Sequence, residues 1–383
     1  MLTKTLITHT LTLGHLMSIN HSIYCNCTYH QNAVILLKIK HLPKKVKNIL
    51  LILLASLLLV SCGKKQETTG DKNSGKFKVG LVFDVGGRGD KSFNDAAYRG
   101  LEKAKQELGI EFEYIEPGPG ADREAALRQF SNRSDISVIF GIGFIFTDEI
   151  TKIAQEFPDK KYACVDYTYD PAKTLPPNLV ALEFKEEEGS FLVGVIAGLM
   201  TKSNKVGFVG GMESPLIKKF QVSYDAGVKH VNPNCQVLVG YAGVTGDAFK
   251  NPGKGKEIAL GQYSDGVDII YHASGVTGLG VFEAARETKK FAIGVDSDQN
   301  DEAPGFIITS MVKVVDVAVF EVIKEVKDGT FKGGRVETFG LKTKGVDYAY
   351  TDKNKGMIPD DVRTKVEAIR KDIIDGKITI PTK

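Results

Sequence analysis

The chain has 383 residues, of which 42% are hydrophobic and 25% charged, a composition that argues against disorder, collagen-like repeats and a many-span membrane protein. Its formal charge is +3, yet residues 1–61 contain six lysines and no acidic residue, which leaves 44 basic against 47 acidic side chains in the remainder. This remainder has a net charge of −3 and no basic excess with which to bind nucleic acid.

An apolar run, residues 49–60, follows three lysines in residues 44–47 and is interrupted only by a serine. It is too short to cross a bilayer as a stable helix, and a basic segment before a short apolar run is typical of an export signal. The run ends at Leu-Val-Ser-Cys62, which resembles the bacterial lipoprotein cleavage box and implies cleavage before Cys62 and its diacylation. A buried helix with an incidental cysteine is the alternative, but the polar residues 64–74 are typical of a flexible tether.

The first 41 residues fit neither a signal nor a domain. They include five histidines, Cys25 and Cys27, but the spacing is not that of a zinc site. We expect a start codon assigned too far upstream, so that residues 1–41 are not made, residues 42–61 form the signal peptide, and residues 62–75 form a lipid-tethered linker. Cys164 and Cys235 lie in apolar runs and are expected to be buried free thiols.

From residue 76 onward, short apolar runs alternate with segments of helical periodicity. Such alternation predicts an α/β protein with doubly wound, mainly parallel sheets. The first series has predicted strands at 77–83, 111–115, 136–140 and 161–165, and predicted helices at 94–108, 122–130 and 147–157.

A second series begins after the prolines near residue 176. Two series of similar size predict two lobes joined by a hinge, with a ligand site at the carboxyl ends of the strands. Its predicted strands are 179–184, 206–209, 236–241, 267–271 and 291–295, with helices at 189–201, 215–231, 255–263 and 279–288. The expected final elements are a strand at 306–311, an apolar helix at 314–326, a short strand pair (337–341 and 347–350) and a helix at 359–374.

Three aspartates, Asp84, Asp166 and Asp296, directly follow or end predicted strands. Any one of them could be a surface turn residue, but that interpretation is less suited to all three together. They come from separate strands without clustered ligands, which argues against a metal site. No nucleophile motif accompanies them, so the pattern favours recognition of a polyhydroxy ligand over catalysis.

The turn after the first strand is rich in glycine and leads into a helix. Asp84 and Asp90 would repel phosphate, and the turn has neither the glycine spacing of a P-loop nor that of a dinucleotide-binding motif. Phe93, between the polar Ser92 and Asn94, could offer a stacking surface for a planar ligand. Alternatively, Ser92 caps the helix and Phe93 belongs to the core.

Two further strand ends contain candidate residues. The turn 272–280 is glycine-rich, and its glycines, Gly275 among them, would let the backbone approach a ligand closely. His272 at the same strand end either lines the site or is a structural histidine. Lys313 stands between apolar runs and therefore needs a carboxylate or a ligand acceptor.

Three separated motifs, at residues 84–94, 294–299 and 309–313, strongly resemble the basic membrane protein family of lipoproteins, which includes the purine nucleoside receptor A type of substrate-binding protein. The resemblance covers nearly all of residues 76–350. It implies a two-lobed type I periplasmic-binding-protein fold that captures a nucleoside in the interlobe cleft and delivers it to an ABC permease. The expected N-terminal lobe comprises residues 76–182 and 313–330, and the C-terminal lobe comprises residues 183–312 and 331–383.

The same resemblance implies a set of ligand-binding residues. It implies no cofactor, no metal and no catalytic activity. Phe220 could instead be core packing of its helix. The implied set consists of Asp84, Asp166 and Asp296 as polar contacts to ribose and base, Phe93 and Phe220 as the pair that sandwiches the purine, and Asn94, Gly275 and Lys313 in the remaining polar roles, with Ser92 beside them.

The resulting expectation is a protein anchored by lipid to a bacterial cell membrane, facing the periplasm or the cell exterior. Riboflavin or a sugar is an alternative ligand. A nucleoside-cleaving enzyme that uses the aspartates, and a surface adhesin, are alternatives from other functional classes.

Overall fold

A computed structural model of the chain describes residues 77–117 and 123–383. The first of its two sheets is entirely parallel, with the strand order β11-β5-β4-β3-β1-β2. Its strands are β1 (Lys78–Val82), β2 (Glu111–Ile115), β3 (Ile136–Ile142), β4 (Tyr162–Val165), β5 (Leu179–Phe184) and β11 (Arg335–Phe339). We call this sheet and the helices packed on it the N-terminal lobe.

The second sheet, the centre of the C-terminal lobe, has the order β12-β10-β9-β8-β6-β7. All its neighbouring strands are parallel except β10 and β12, which are antiparallel. Its strands are β6 (Lys205–Met212), β7 (Gln236–Gly243), β8 (Ile269–Ala273), β9 (Phe291–Asp296), β10 (Ile307–Lys313) and β12 (Val346–Tyr348).

Helices connect the parallel strands and cover the sheets, so the predicted α/β alternation is confirmed. The helices of the described residues are α1 (Phe93–Leu108), α2 (Arg123–Ser131), α3 (Thr147–Glu156), α4 (Glu186–Met200), α5 (Pro215–Val231), α6 (Pro252–Ser264), α7 (Thr277–Thr288), α8 (Val315–Asp328) and α9 (Asp360–Ile374). Not one of them is long and apolar enough to span a membrane.

The apolar pattern of the sequence accounts for this packing. The central strands are buried on both faces, as β4 is along its whole length, which is why they are continuous apolar runs. Helix α1 buries Ala97, Leu101 and Ala104, and Gly109 ends it in the left-handed conformation, with φ 66°. Cys164 and Cys235 are buried free thiols, as expected.

Two expectations about the last strands are wrong. Strands β11 and β12 do not pair with each other, because β11 lies parallel to β5 while β12 pairs with β10 in the other sheet. Strand β11 therefore belongs to the N-terminal lobe, although residues 331–383 were all expected in the C-terminal lobe. An apolar pattern predicts a strand but does not identify its partner, which here lies about 150 residues earlier in the chain.

Within residues 123–383 the chain consequently passes between the lobes three times, near residues 184–186, 313–315 and 339–341. We call these three segments the hinge. Lys185 N–H donates to the Phe339 carbonyl at 2.8 Å and so ties the first segment to the third. Leu341 N–H of the third segment also donates to Glu188 Oε2, in the first turn of α4, at 2.7 Å. The predicted leader and linker, including Cys62, lie outside the described residues.

Candidate ligand-binding site

A cavity lies between the lobes, at the carboxyl ends of the parallel strands, where the topology predicts a ligand site. Eight of the nine residues singled out from the sequence line it, and Ser92 does not. The eight are Asp84, Phe93, Asn94 and Asp166 of the N-terminal lobe, and Phe220, Gly275, Asp296 and Lys313 of the C-terminal lobe.

The backbone turns sharply at two of the aspartates. Asp166 directly follows β4 with φ 59°, and Asp296 ends β9 with φ 61°. Aspartate tolerates this left-handed region better than most residues, but the conformation still costs free energy and needs support from its surroundings. The turns place both carboxylates in the cavity rather than along the sheet.

Asp84 and Asn94 form a linked pair at one side of the cavity. Asp84 N–H donates to Asn94 Oδ1 at 3.0 Å, so the amide oxygen of Asn94 is occupied and its Nδ2 group is the donor that a ligand can use. Asp84 Oδ1 accepts the Val85 N–H at 2.6 Å. Burial nevertheless raises the pKa of Asp84 to about 7.

Asp90 proves to be the cap of helix α1. Its carboxylate accepts the backbone N–H groups of Ser92, Asn94 and Asp95 at 2.8–3.0 Å, which satisfies donors that a helix N-terminus leaves unpaired. Burial raises the pKa of Asp90 to about 6 against the opposing effect of these bonds. The predicted capping by Ser92 is therefore wrong for its side chain, although the residue occupies the N-cap position.

The side chain of Ser92 instead crosses from the N-terminal to the C-terminal lobe. Its Oγ lies 2.5 Å from Asp296 Oδ2 and 3.3 Å from the Val295 carbonyl oxygen. In return, Ser297 Oγ donates to the Ser92 carbonyl at 3.1 Å, and Arg99 donates to Ser297 Oγ at 2.8 Å. These contacts connect the two lobes directly.

Lys313 has the carboxylate partners that its apolar surroundings require. Its Nζ lies 2.6 Å from Asp166 Oδ2 and 3.3 Å from Glu186 Oε1, and all three side chains are at least 95% buried. Burial disfavours the charge of Lys313, but the neighbouring carboxylates outweigh this effect and raise its pKa. Burial also raises the pKa of Asp166, to about 6, against the influence of Lys313.

Glu186 is a buried member of this network that the sequence analysis missed. It begins α4 and is also paired with Lys219, whose Nζ lies 2.5 Å from Glu186 Oε2. Lys219 in turn donates to the Phe184 carbonyl in the hinge at 3.0 Å. The only sequence signal was the need of Lys313 for partners, because Glu186 stands in a run of three glutamates that is typical of a solvated helix N-terminus.

Aromatic rings from both lobes surround the ammonium group. Lys313 Nζ lies 4.8 Å from the ring centroid of Phe93 and 5.7 Å from that of Phe220. Helix α5 places Phe220 by beginning at Ser214 and Pro215, where Ser214 Oγ accepts the Ile217 N–H. Phe220 both lines the cavity and packs into the core of its lobe.

A second aromatic pair, which was not predicted from the sequence, also lines the cavity. Phe144 of the N-terminal lobe and Phe249 of the C-terminal lobe line the cavity, with ring centroids 6.5 Å apart and an interplanar angle of 76°. Both follow their strands in short 3₁₀ turns, where nothing in the local sequence separates a lining phenylalanine from a core residue.

His272 is a structural histidine and does not line the cavity. Its side chain is fully buried, contacts Gln299 and Ser274, and packs edge-to-face against Phe282 with centroids 4.9 Å apart. Burial lowers its pKa to about 4, so the ring is neutral at pH 7. Within the glycine-rich turn, Gly275 (φ 55°) faces the cavity, whereas Gly278 makes room for the His272 ring.

Among the described residues, no group of three or more histidine, cysteine or acidic side chains is arranged to hold a metal ion. The cavity combines carboxylates, one amide donor, one ammonium group and aromatic rings, with contributions from two lobes that meet at a hinge. Fold and cavity together define a two-lobed solute-binding protein of the type I periplasmic class.

Comparison with known proteins agrees with this class. Residues 77–383 match the family described as "ABC transporter substrate-binding protein PnrA-like", and the chain belongs to this family. A solved solute-binding protein of an ABC transporter system from Aeropyrum pernix superposes with a TM-score of 0.73 at 30% identity, covering 80% of this chain and 94% of that one.

Two curated relatives are named as an antigen and as a membrane protein. The "CD4+ T-cell-stimulating antigen" of Listeria innocua is 38% identical over 87% of this chain and 97% of its own length. "Basic membrane protein A1" of Borrelia garinii is 36% identical over 88% of this chain and 96% of its own length.

The predicted family is thus confirmed. Because the family consists of substrate-binding proteins of ABC transporters, the chain is not an enzyme, and a small-molecule ligand and a permease partner follow.

Proposed function

We propose that this ABC substrate-binding protein captures purine nucleosides by closure of its two lobes. The observation that carries the proposal is the pairing of phenylalanines from opposite lobes, Phe93 and Phe220, with three buried aspartates in one cavity. Aromatic rings stack on a base with about 1–3 kcal/mol per base. Buried carboxylates disfavour ligands without hydroxyl groups, because their acceptors would be left unpaired.

Lobe closure follows from the division of the site. The N-terminal lobe contributes Asp84, Phe93 and Asp166, and the C-terminal lobe contributes Phe220 and Asp296. A ligand that contacts both sets binds the closed form more tightly than the open form and shifts the equilibrium towards closure.

Calorimetry of the protein with inosine, guanosine, adenosine and free ribose tests the proposal. We expect nucleosides to bind at micromolar concentration or below and free ribose to bind more weakly, because ribose lacks the stacking surface. Phe93→Leu should weaken nucleoside binding about 5- to 100-fold. Phe112→Leu is the matched control, since Phe112 is also partly buried but lies on β2 outside the cavity.

Absence of nucleoside binding at micromolar concentration would refute the proposal. Binding of riboflavin or of a sugar in its place would favour those ligands for the same fold. Release of free base from a nucleoside by the purified protein would support the enzymatic alternative and contradict the family assignment.

We also propose that Cys62 is lipidated and tethers the protein to the outer surface of a bacterial cell membrane. Support comes from the three lysines and the apolar run that precede Cys62. It also comes from an uncharacterized lipoprotein of Pyrococcus horikoshii that is 35% identical over 83% of both chains. Cys62→Ser should abolish incorporation of a labelled fatty acid and release the protein from the membrane fraction. Recovery of peptides from residues 1–41 of the lipidated protein would contradict the expected later start.

A further inference from the structure

We propose that Ser274 is a specificity-determining residue whose hydroxyl can only accept a hydrogen bond from the ligand, and that His272 is the positioning residue that fixes this direction. Ser274 lines the cavity beside Gly275, and the residue is 99% buried. The inference deepens the proposed function and rests on it for the identity of the ligand. The direction of the hydrogen bond does not depend on that identity.

The backbone N–H of Val295 identifies which atom of the Gln299 amide is the oxygen. Val295 N–H donates to Gln299 Oε1 at 2.8 Å, and since an amide nitrogen is not an acceptor, the Gln299 atom at this position is the oxygen. The same Oε1 lies 3.1 Å from Nε2 of His272. An amide oxygen carries no proton, so the proton of this second bond belongs to Nε2 of the histidine.

The protonation of Nε2 determines what the other ring nitrogen can do. The His272 ring is fully buried beside Phe282, where a charged imidazolium would be desolvated, and the ring is therefore neutral. A neutral imidazole with its proton on Nε2 has a lone pair on Nδ1. Ser274 Oγ lies 3.3 Å from Nδ1 and must donate its single proton there.

The ring has little freedom to reverse this pattern. Gly278, in the first turn of α7, lies directly against the imidazole, and a Cβ atom at this position would collide with the ring. Ser274 also begins the turn that leads into α7, because its carbonyl accepts the Thr277 N–H at 3.2 Å. The hydroxyl and the imidazole are thus held in one arrangement by the same short segment.

The consequence is a polarity rule for the ligand. With its proton committed to His272, Ser274 presents only lone pairs to the cavity, so the ligand atom opposite it must be a donor, an O–H or an N–H. A carbonyl oxygen or an unprotonated ring nitrogen placed there would leave two acceptors facing each other in a buried site. Asn94 has the opposite polarity, because its Nδ2 group is the donor available to the cavity.

The direction of the bond is tested without ligand by NMR of the full chain labelled with ¹⁵N-histidine. We expect one histidine that stays neutral from about pH 8 to about pH 5.5, with its proton on Nε2, and whose Nδ1 resonance shifts in Ser274→Ala. A proton on Nδ1, or an imidazolium at pH 7, would overturn the inference, because Ser274 would then be free to donate.

The role in specificity is tested by combining Ser274→Ala with ligands that each lack one donor: 2′-, 3′- and 5′-deoxyinosine and 1-methylinosine. We expect the variant to bind inosine about 5- to 100-fold more weakly than wild type, and to match wild type for the one analogue that lacks the partner donor. Ser190→Ala is the matched control, since Ser190 is buried on α4 and contacts Tyr271 at 3.1 Å, outside the cavity.

Two results of this binding experiment would overturn the specificity role: unchanged affinity of Ser274→Ala for inosine, or the same loss for inosine and all four analogues. If wild type binds no nucleoside at all, the proposed function fails together with this role. The histidine spectrum still decides the direction of the bond in that case, so the two failures are distinguishable.

Discussion

Lys313 is the side chain whose removal should disturb the protein most strongly. Its side chain is 98% buried, and its ammonium group pairs with Asp166 at 2.6 Å and with Glu186 at 3.3 Å. Lys313→Met keeps the approximate length and the apolar stem of the side chain but leaves two buried carboxylates without their shared cation. Removing one partner of a buried ion pair costs about 3–5 kcal/mol, because the remaining charges stay desolvated.

The magnitude converts into a measurable shift of the melting temperature. For a folded body of about 300 residues, an unfolding entropy of about 2.1 cal/mol/K per residue gives about 0.6 kcal/mol/K. A loss of about 4 kcal/mol therefore lowers the melting temperature by about 6 °C.

The loss of stability caused by Lys313→Met should depend on pH. Without the cation, the folded-state pKa of Asp166, already raised to about 6 in wild type, rises further. A carboxyl with a raised folded-state pKa destabilises the fold increasingly as pH rises from its unfolded-state pKa to the folded-state value. Because the higher folded-state pKa widens this window in the variant, Lys313→Met should cost more stability at pH 8 than at pH 5.

Scanning calorimetry of wild type and variant at these two pH values provides the measurement. Lys324→Met is the control, because Lys324 pairs with Asp328 at 2.9 Å on the surface of α8, where both side chains are about half exposed. Such a pair is worth about 0–1 kcal/mol. If Lys313→Met shifts the melting temperature no more than this control, or shifts it equally at both pH values, the buried network does not stabilise the fold as described.

Three further predictions concern single contacts. Ser92→Ala removes a hydrogen bond between the lobes, from Ser92 to the charged Asp296, that is worth about 1.5–3 kcal/mol. Because this bond holds the lobes together, small-angle scattering should show a larger radius of gyration for the variant. An unchanged radius would contradict the interlobe role of Ser92. Phe220→Ala should weaken nucleoside binding by about 1–3 kcal/mol in calorimetry, and equal affinity would exclude stacking on this ring. Gly278→Ala should lower stability by about 1–3 kcal/mol, because the new methyl group meets the His272 ring, and wild-type melting behaviour would show that the ring can move.

The positions of the site residues at strand ends could be predicted because parallel topology brings the carboxyl ends of strands to one edge. Asp84 and Asp166 each follow a short apolar run, and that pattern places both at the same edge of the first sheet, whereas Asp296 ends a strand of the second sheet and joins them because the two lobes face each other across the cavity. Lys313 was predictable as a residue in need of partners, because a charge between apolar runs is rarely left unpaired.

What could not be predicted depends on contacts between distant segments. Ser92 was expected to cap its helix or bind ligand, but its partner Asp296 is 204 residues away. Glu186 is indistinguishable in the sequence from the two glutamates that follow it, and only the fold buries it beside Lys313. Strand β11 has the pattern of any edge strand, and its pairing with β5 is decided by the path of the chain through the hinge.

The threefold passage of the chain through the hinge has a consequence for how the protein can be made and divided. Strand β11 and helix α8, which packs on α1, are synthesised only after nearly all of the second sheet. A nascent chain that ends near residue 313 would therefore leave one edge of β5 unpaired and one side of α1 exposed. Completion of the first lobe must wait for the last quarter of the polypeptide. Neither lobe is a portable module, and exchanging lobes between relatives would require three simultaneous junctions rather than one.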